Sequence, residues 1–454
     1  MSNISYKSCI KPNKSQICVP DMSEKTILIW FRNDLRIHDN EILLEAIRKA
    51  DRVLPVYCFD PYYFQKSAED IPKTGPLRAR FLLESVANLR ENLRAVGGEL
   101  IIRIGNPTEI LPQLAEEYRV NEVYHHREVA YEETDISEQV ETALWKTKLN
   151  LKHFIGHTLY HKEDLPFPIK DIPDSFAIFK KKVERDSNVR PCVATPESIV
   201  TPPIANAGEL PTLPQLGLNE PIDDPRATMK FTGGETAALA RLQAYFANNP
   251  ITAGKGRAGH TDHSSKLSPW VSLGCISMRQ VYWAVINHEQ ETHNHHSGIL
   301  MLELLWRDYF RFMFKKHGKK FFKTDNAQTL PDKKQDELFK TWKKGETGIP
   351  FIDASMHELN ATGFISNFSR QMVAGYLVND LQVDWKKGAA YFEEKLIDYS
   401  PASNWGNWAF IAGLGHDPRD DRYFNQVKHT SELEISSDFI STWLPVAPNG
   451  VEIG

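Results

Sequence analysis

The sequence has little cysteine and no long apolar run, and both shortages exclude classes of protein. Its 454 residues include five cysteines, scattered without a CxxC pair. Neither a disulfide framework nor a zinc-binding cysteine cluster is therefore predicted. No apolar stretch approaches the roughly 20 residues that a membrane-spanning helix requires. We expect a protein of the cytoplasm, where thiols stay reduced, with no membrane as partner.

An excess of positive charge is also missing. The 54 Lys and Arg residues are outnumbered by 59 Asp and Glu residues, and the net charge is -5. Any contact with nucleic acid must therefore come from a local basic patch. Residues 1–24 are polar and basic, without the apolar stretch of a signal peptide. They predict a flexible N-terminal tail.

Residues 25–160 predict an α/β domain. Its apolar, Val- and Ile-rich segments TILIWF, VLPVYCF, ELIIRI and VNEVYHH are typical of buried strands, and segments with helical spacing lie between them. Asn40 is a candidate N-cap of the first helix. The alternation predicts a doubly wound parallel sheet. Neither GxGxxG nor GxxxxGK[ST] occurs there, so the usual phosphate-binding loops are absent.

The rest of the chain divides into three parts. Residues 161–230 are irregular and rich in proline, which predicts a long interdomain linker over the surface. Residues 231–430 show helical periodicity without strand alternation, which predicts an all-α domain. Residues 431–454 predict a short C-terminal tail.

A run of serines opens the helical region. Hydroxyls and backbone N–H groups next to a lysine at a helix start can hold a phosphate. Ordinary helix capping by serine is the alternative. The run consists of Ser264, Ser265, Lys266, Leu267 and Ser268.

The segment LELLWRDYFRF combines polar and aromatic side chains on one helical face. Glu303, Trp306, Arg307 and Phe310 are spaced at i, i+3, i+4 and i+7. Such a face can stack on a flat ligand and bind its edge with hydrogen bonds. The alternative is an ion pair within the helix between Glu303 and Arg307.

A third polar set is dispersed through apolar helices near the C-terminus. A single tryptophan in such a helix is usually core. Amides, an arginine and an aspartate among the aromatics instead suggest a buried polar ligand. The set comprises Asn367, Arg370, Trp385, Asp398, Asn404 and Trp408.

Two charged segments look like metal sites but do not predict one. HNHHSG, at 293–298, has adjacent histidines without acidic partners, and we expect a solvated loop. DPRDDR, at 417–422, is typical of a loop held by salt bridges.

These motifs resemble, in order, those of the cryptochrome/photolyase family, in particular its DASH cryptochromes. The matching segments include IWFRNDLRIHDN, SSKLSPWVSLGCIS, ELLWRDYFRF, TGFISNFSRQ and SNWGNW, and the resemblance runs from about residue 26 to 429. It implies an α/β antenna domain, a long linker and a helical domain that binds FAD.

The resemblance also implies roles for single residues. The serine run from Ser264 to Ser268 would surround the FAD phosphates, and Asn404 would face flavin N5. Trp408 and Trp385 match the first two members of an electron-transfer chain. Glu303 and Trp306 match residues that meet a flipped pyrimidine dimer. Glu128 matches the acid that binds a methenyltetrahydrofolate antenna. The remaining cofactor contacts would be Arg307, Asn367, Arg370, Asp398 and Ser400.

The sequence departs from the family pattern at several points. Phe368 stands where DASH members usually have an arginine, and Ser400 replaces a frequent acid. The segment at 251–260 lacks the usual Tyr-x-x-x-Arg, and the third tryptophan of the electron-transfer chain has no match. Either a tyrosine or another tryptophan, such as Trp283, would finish the path. Phe364 to Ser366 lacks the histidine used on (6-4) photoproducts, which favours cyclobutane dimers.

Two functions remain open at this point. The first is a carbon–carbon lyase of the deoxyribodipyrimidine photolyase type, a monomer that repairs cyclobutane pyrimidine dimers best in single-stranded DNA, using blue light and reduced FAD. The second is a blue-light photoreceptor with little or no repair activity, which Phe368 and Ser400 favour. A light-independent FAD protein is disfavoured by Asn404 together with Trp408 and Trp385.

Overall fold

The computed structural model describes residues 24–67, 69–247, 264–293, 298–318, 332–414 and 437–444. The predicted N-terminal tail and most of the C-terminal tail lie outside these residues, as do the DPRDDR segment and the centre of HNHHSG. All statements below on structure concern the described residues.

The first domain is built on a five-stranded parallel sheet of order β3-β2-β1-β4-β5. The strand order reverses between β1 and β4, so the predicted doubly wound parallel sheet is confirmed. One strand, β5, was not among the predicted strands. The strands are β1 (Thr26–Phe31), β2 (Arg52–Phe59), β3 (Ile101–Ile104), β4 (Glu122–His126) and β5 (Leu151–Phe154).

Four helices cover the sheet. The predicted N-cap of the first is confirmed, because Asn40 Oδ1 accepts a hydrogen bond from the Leu43 N–H at 3.2 Å. Continuous apolar strands suit this arrangement, because helices on both faces remove both sets of side chains from water. The helices are α1 (Glu41–Lys49), α2 (Pro76–Ala95), α3 (Pro107–Glu117) and α4 (Tyr131–Trp145).

The linker contains more regular structure than its prolines suggest. Besides three short 3₁₀ turns it forms helix α5 (Phe176–Asp186), whose buried residues are Phe176, Phe179 and Val183. These residues are spaced at i, i+3 and i+7, so one face of α5 is apolar. That face packs against helix α9 of the second domain. The expectation of an irregular linker is therefore wrong over this helix.

After β5 the described residues form helices and no further strand, which confirms the predicted helical second part. The helices are α6 (Glu235–Ala247), α7 (Ser268–Ser272), α8 (Met278–Thr292), α9 (Gly298–His317), α10 (Asp332–Lys344), α11 (Pro350–Thr362), α12 (Asn367–Gly375), α13 (Trp385–Lys395), α14 (Pro401–Ile411) and α15 (Ser437–Trp443). A single π-helical turn, Tyr376–Asp380, follows α12. In the described part of the chain, no helix is both long and apolar enough to cross a membrane.

Ion pairs and buried hydrogen bonds join the two domains. Arg279 of α8 donates to Asp39 Oδ1 at 2.7 Å and to Glu41 Oε1 at 2.6 Å. Asp308 of α9 accepts from the backbone N–H groups of Leu159 and Tyr160 at 2.9 and 3.0 Å. Helix α9 is thereby held between the sheet domain and α14, where the candidate site lies.

Candidate cofactor and substrate site

The site is centred on Asp398, which lies three residues before α14. Its Oδ2 accepts hydrogen bonds from Ser268 Oγ at 2.6 Å and from the Arg370 guanidinium at 2.8 Å. Its Oδ1 is buried and has no partner among the described residues. Three predicted residues from separate segments therefore meet, and one carboxylate oxygen is left for a further donor. A buried acceptor without a partner is costly, which points to a polar ligand at this place.

The serine run forms a loop held by an arginine that the sequence did not single out. Arg241 of α6 donates to the carbonyls of Ser265 and Ser264 at 2.8 and 3.0 Å. Lys266 has a positive φ of 51° and donates to Thr228 Oγ1 at 3.1 Å, while Leu267 is buried. Ser268 does not cap a helix, since its hydroxyl is used on Asp398. The capping alternative is therefore not what the structure shows for Ser268.

Helix α9 forms one wall of the site. Glu303 is exposed at the surface of α9. Desolvation by neighbouring protein atoms raises the pKa of its carboxyl, and the positive charge of Arg370 opposes this shift. Trp306 lies under Phe176 of α5, with ring centroids 3.6 Å apart and planes 10° apart. Phe410 of α14 meets Trp306 edge-on at 6.1 Å. The wall therefore joins a carboxyl to a fixed aromatic cluster.

Arg307 does not pair with Glu303. Its guanidinium donates to the His157 carbonyl and, at 3.5 Å, to the Val271 carbonyl, while Nε is buried without a partner among the described residues. Burial, and then the positive charge of Arg311, lowers the pKa of Arg307 to about 9. The intrahelical ion pair that was the alternative reading of this segment is therefore absent, and one N–H group remains for a ligand.

Helix α14 carries the amide and the buried tryptophan. Asn404 is buried and donates from Nδ2 to the Ala389 carbonyl at 2.9 Å, which fixes the orientation of its amide. The Trp408 ring meets Phe392 at 5.1 Å and Trp342 at 6.3 Å, both edge-on. Gly388 of α13 lies directly against the Trp408 ring. Asn404 and Trp408 are one helical turn apart, so they lie on the same side of α14.

Trp385 and Trp405 form a pair. Their ring centroids are 5.9 Å apart, with an angle of 76° between the planes. Trp405 Nε1 donates to Tyr399 Oη at 3.2 Å. Trp405 was not among the predicted site residues, and its contact with the predicted electron-transfer residue Trp385 was missed. A signal was present, because Trp405 and Trp408 are spaced at i and i+3.

The remaining cofactor candidates lie around this centre. Asn367 is exposed at the start of α12, three residues before Arg370, so the two share a helical face. Ser400 is buried at the N-cap of α14, where its side chain makes no capping hydrogen bond and its carbonyl accepts from the Asn404 N–H at 2.8 Å. Phe368 packs against Phe351 at 5.5 Å and so brings no positive charge to the site.

Glu358 of α11 was not predicted. Its Oε2 is buried without a partner among the described residues. Burial raises the pKa of Glu358 to about 7, against the opposing positive charges of Lys266 and Arg370. A carboxyl that titrates near neutral pH therefore lies within electrostatic range of Lys266 in the serine loop. Its sequence signal was a charged residue within an otherwise well-buried helix.

Glu128 lies away from this centre, at the domain interface. Its Oε1 accepts from Asn33 Nδ2 at 2.9 Å, and its Oε2 accepts from the Arg311 guanidinium at 2.8 Å. Burial disfavours its charge, but the facing His157 and Arg311 hold the pKa of Glu128 below its usual range. Only 2% of its surface is exposed. In this geometry Glu128 offers no open face to a pterin.

Two further features concern metal binding and the basic residues near the end of α9. The described residues contain no group of His, Cys, Asp and Glu side chains that could hold a metal ion. The basic segment RFMFKKHGKKFFK, at 311–323, begins in the last turns of α9. There Lys315 is exposed, whereas Lys316 donates to Asp174 Oδ1 at 2.6 Å. Residues 319–331, which include the rest of that basic segment, lie outside the described residues.

Comparisons with known proteins agree with this architecture. Residues 27–199 match the family described as DNA photolyase, and residues 300–449 match the FAD binding domain of DNA photolyase. The chain is 44% identical to Cryptochrome DASH of Gloeobacter violaceus over 93% of its length and 86% of the relative. It is 42% identical to Cryptochrome DASH of Danio rerio, over 93% and 84% of the two chains.

Solved structures give the same result. A cryptochrome from Synechocystis superposes with a TM-score of 0.88 at 41% identity, over 93% of this chain and 89% of that one. A bacterial class III photolyase from Agrobacterium tumefaciens superposes with a TM-score of 0.80 at 26% identity, over 94% and 88% of the two chains.

Proposed function

Since this chain belongs to the cryptochrome/photolyase family and is of the DASH cryptochrome type, we propose that it is a blue-light-dependent FAD enzyme that splits cyclobutane pyrimidine dimers, preferentially in single-stranded DNA. The observation that carries the proposal is the Asp398 cluster, where Arg370 and Ser268 hold a carboxylate that has one oxygen unsatisfied. Asn404 and the wall of α9 complete the site.

These residues fit the polar edges of FAD. Asp398 Oδ1 can accept from an N–H or O–H of the cofactor, and Asn404 can present an amide to more than one redox state of a flavin. Asn367 and Arg307 supply further donors, and the loop from Ser264 to Ser268 brings hydroxyls and Lys266 near the phosphates. FAD, when bound, supplies the light-driven one-electron chemistry. The protein binds it, orients it and keeps water away.

The wall of α9 provides the substrate contacts. Trp306 contacts Phe176, Phe310 and Phe410 and is half-buried, so the remaining part of its surface would meet a pyrimidine dimer. Glu303 can form a hydrogen bond with the edge of a pyrimidine, and desolvation by its surroundings raises the pKa of its carboxyl. A dimer must leave the base stack to reach these groups. That step is easier in a single strand, where no base pair is lost.

One second function is supported by a specific observation. Phe368 packs against Phe351 and supplies no cation where DASH members usually have an arginine. Lys316 is bound to Asp174 instead of being free for phosphate. Both facts weaken DNA binding, and they favour a blue-light photoreceptor with the same cofactor and little repair activity.

Illumination of the purified protein with reduced flavin and dimer-containing oligothymidylate decides between the two. We expect loss of dimers in single strands and slower loss in duplexes. Glu303→Gln keeps a hydrogen-bond donor and should retain most of the activity, whereas Glu303→Ala should lose it. If dimers persist in single strands while flavin is bound and reduced, the photoreceptor function replaces the repair function.

A methenyltetrahydrofolate antenna stays a prediction of the resemblance. The residues at Glu128 do not fit an open pterin site, because this carboxylate is buried and bonded to Asn33 and Arg311. We therefore assign no energy-transfer step to it. A near-ultraviolet folate band in the purified protein that disappears in Glu128→Gln would establish the antenna and show that this interface opens.

We also propose that the protein acts as a monomer in the cytoplasm. Free cysteines at 58, 192 and 275 support a reducing compartment. Sedimentation of the flavin-loaded protein tests the monomer, and a dimer at micromolar concentration would contradict it.

A further inference from the structure

The aromatic pair formed by Trp385 and Trp405 leads out of the core. Trp408 and Trp385 are 2% and 6% exposed. Trp405, which meets Trp385 at 5.9 Å, is half-buried. Tyr399, whose hydroxyl accepts from Trp405 Nε1 at 3.2 Å, is half-buried as well. Trp405 and Tyr399 are therefore more exposed than Trp408 and Trp385.

Trp408 connects to the series through α13. The Trp408 ring lies against Gly388, which is three residues after Trp385 on that helix. Residues spaced at i and i+3 share a helical face. Trp408 and Trp385 thus pack on the same face of α13, where α13 meets α14.

Tyr399 has a carboxyl group beside it. Glu393 lies close enough to the phenol for its negative charge to raise the pKa of Tyr399, in addition to burial. Glu393 is buried, with Lys73 Nζ 3.7 Å from its Oε1. Burial keeps the pKa of Tyr399 well above its ordinary value, so the phenol is protonated at rest. Arg78 lies 4.6 Å from the centre of the Tyr399 ring and disfavours a positive charge there. Tyr399 can therefore be oxidised only if it releases its proton.

We propose that Trp405 and Tyr399 complete the electron path that begins at Trp408 and passes through Trp385, with Tyr399 as the terminal donor and Glu393 as its proton acceptor. This inference rests on the proposed flavin function, because the oxidant is a photoexcited oxidised flavin. Trp408 gives up one electron, Trp385 then reduces the oxidised Trp408, and Trp405 in turn reduces Trp385. Tyr399 then gives up one electron and passes its phenolic proton to the Glu393 carboxylate. A thiol in solution then returns one electron and one proton to the tyrosyl radical and is oxidised to a disulfide by pairing with a second thiyl radical. Glu393 releases the phenolic proton to solvent.

A second series of aromatic contacts starts at Trp408, but its members lack a proton acceptor among their described hydrogen-bond partners. Trp408 also meets Trp342, which is fully buried, and Trp342 meets Tyr391 at 5.8 Å. Trp342 Nε1 donates to the Val373 carbonyl, which is too weak a base to take the proton. The Tyr391 hydroxyl donates to the amide oxygen of Asn360, which is likewise too weak a base to take the proton. Trp342 is therefore a matched control for the proposed path.

Flash excitation of the oxidised, flavin-loaded protein tests the path. We expect a long-lived tyrosyl radical in the wild type, seen in time-resolved absorption. Its electron paramagnetic resonance line should narrow when the protein contains ring-deuterated tyrosine. Tyr399→Phe and Trp405→Phe should each lose this signal, whereas Trp342→Phe should keep it. Glu393→Gln should slow tyrosyl formation, because the neutral amide is a poor proton acceptor.

The outcomes separate this inference from the proposed function. A protein without flavin would contradict both. A protein that binds flavin and reduces it in light, but shows no tyrosyl radical or loses it in Trp342→Phe, would overturn the path and leave the flavin function intact. Tyr399→Phe removes a single hydroxyl and keeps the ring under Arg78, so it decides the question even if Trp405→Phe fails to fold.

Discussion

Gly388 is the point at which a single methyl group should disturb the candidate electron donor. A Cβ at this position would lie 2.6 Å from Trp408 Cζ3 and from Leu377 Cδ2, and closer still to Trp408 Cη2. Ordinary contacts begin at 3.4 Å, so these side chains must retreat by about 0.8 Å or more. Leu377 is fully buried, and the Trp408 indole is also buried and meets Phe392 edge-on. Both side chains therefore have to move within a packed core.

Two effects of Gly388→Ala oppose each other. Alanine inside a helix is favoured over glycine by about 1 kcal/mol. Overpacking of a filled core costs about 1–3 kcal/mol. Because the clash involves a rigid ring, we expect the steric term to win, with a net loss of up to about 2 kcal/mol in the free energy of unfolding. The displaced indole should also slow photoreduction of bound flavin.

Urea unfolding and flavin photoreduction, measured on the same preparations, check this prediction. Gly298→Ala is the control, since it also changes a glycine in a helix but its Cβ meets nothing within 4 Å. That variant should be as stable as the wild type, or up to about 1 kcal/mol more stable. The reasoning would be refuted if Gly388→Ala matched Gly298→Ala in both measurements.

Three further predictions follow from the site and the domain interface. Asp398→Asn should weaken FAD binding about tenfold or more, because a charge-assisted hydrogen bond of about 1.5–3 kcal/mol is lost. A flavin titration measures this affinity. Equal affinity in Asp398→Asn and in the surface variant Asp70→Asn would contradict the prediction. Phe176→Ala should cost about 3 kcal/mol of stability and weaken binding of a dimer-containing oligonucleotide, because Trp306 loses the ring stacked on it. Phe176→Leu should lose less stability and less affinity. Unchanged oligonucleotide affinity in Phe176→Ala would contradict a role of the α9 wall in substrate binding. Burial and the negative charge of Glu128 raise the pKa of Glu133 from 4.5 to about 8, so the folded protein holds a proton that the unfolded chain releases. The free energy of unfolding should therefore fall as pH rises between these two values. Glu133→Gln should flatten this pH dependence in unfolding measured between pH 5 and 8, and an unchanged pH dependence would show that other groups set it.

The main elements of the fold were predictable where one local signal dominated. Strand β1 is apolar after Thr26 and entirely buried, and α1 begins at the Asn40 cap. Strand β5 was missed because its sequence, LKHF, is short and mixed, and three of its four residues are only half-buried. Helix α5 was missed because prolines flank its apolar face. In both cases partners distant in sequence, not local propensity, stabilise the element.

In the site, the sequence identified the residue types better than their partners. Ser268, Arg370 and Asp398 were all candidates, but the bond from Ser268 to Asp398 joins residues 130 positions apart. No helical spacing reports on such a contact. Arg241 and Glu358 were missed for the same reason, since each acts on the serine loop from another helix.

Helical spacing also does not identify the partners of two side chains, Arg307 and Trp405. Glu303 and Arg307 have the i,i+4 spacing of a helical ion pair, yet Arg307 reaches the carbonyls of His157 and Val271. A buried guanidinium has more donors than one exposed carboxylate can satisfy, so it binds the acceptors that the domain interface provides. Trp405 shows the same limit. Its periodicity places it beside Trp408, but α13 and Tyr399 decide its contacts. Helical spacing therefore identifies the face on which a side chain lies, and tertiary packing selects the partner that it meets there.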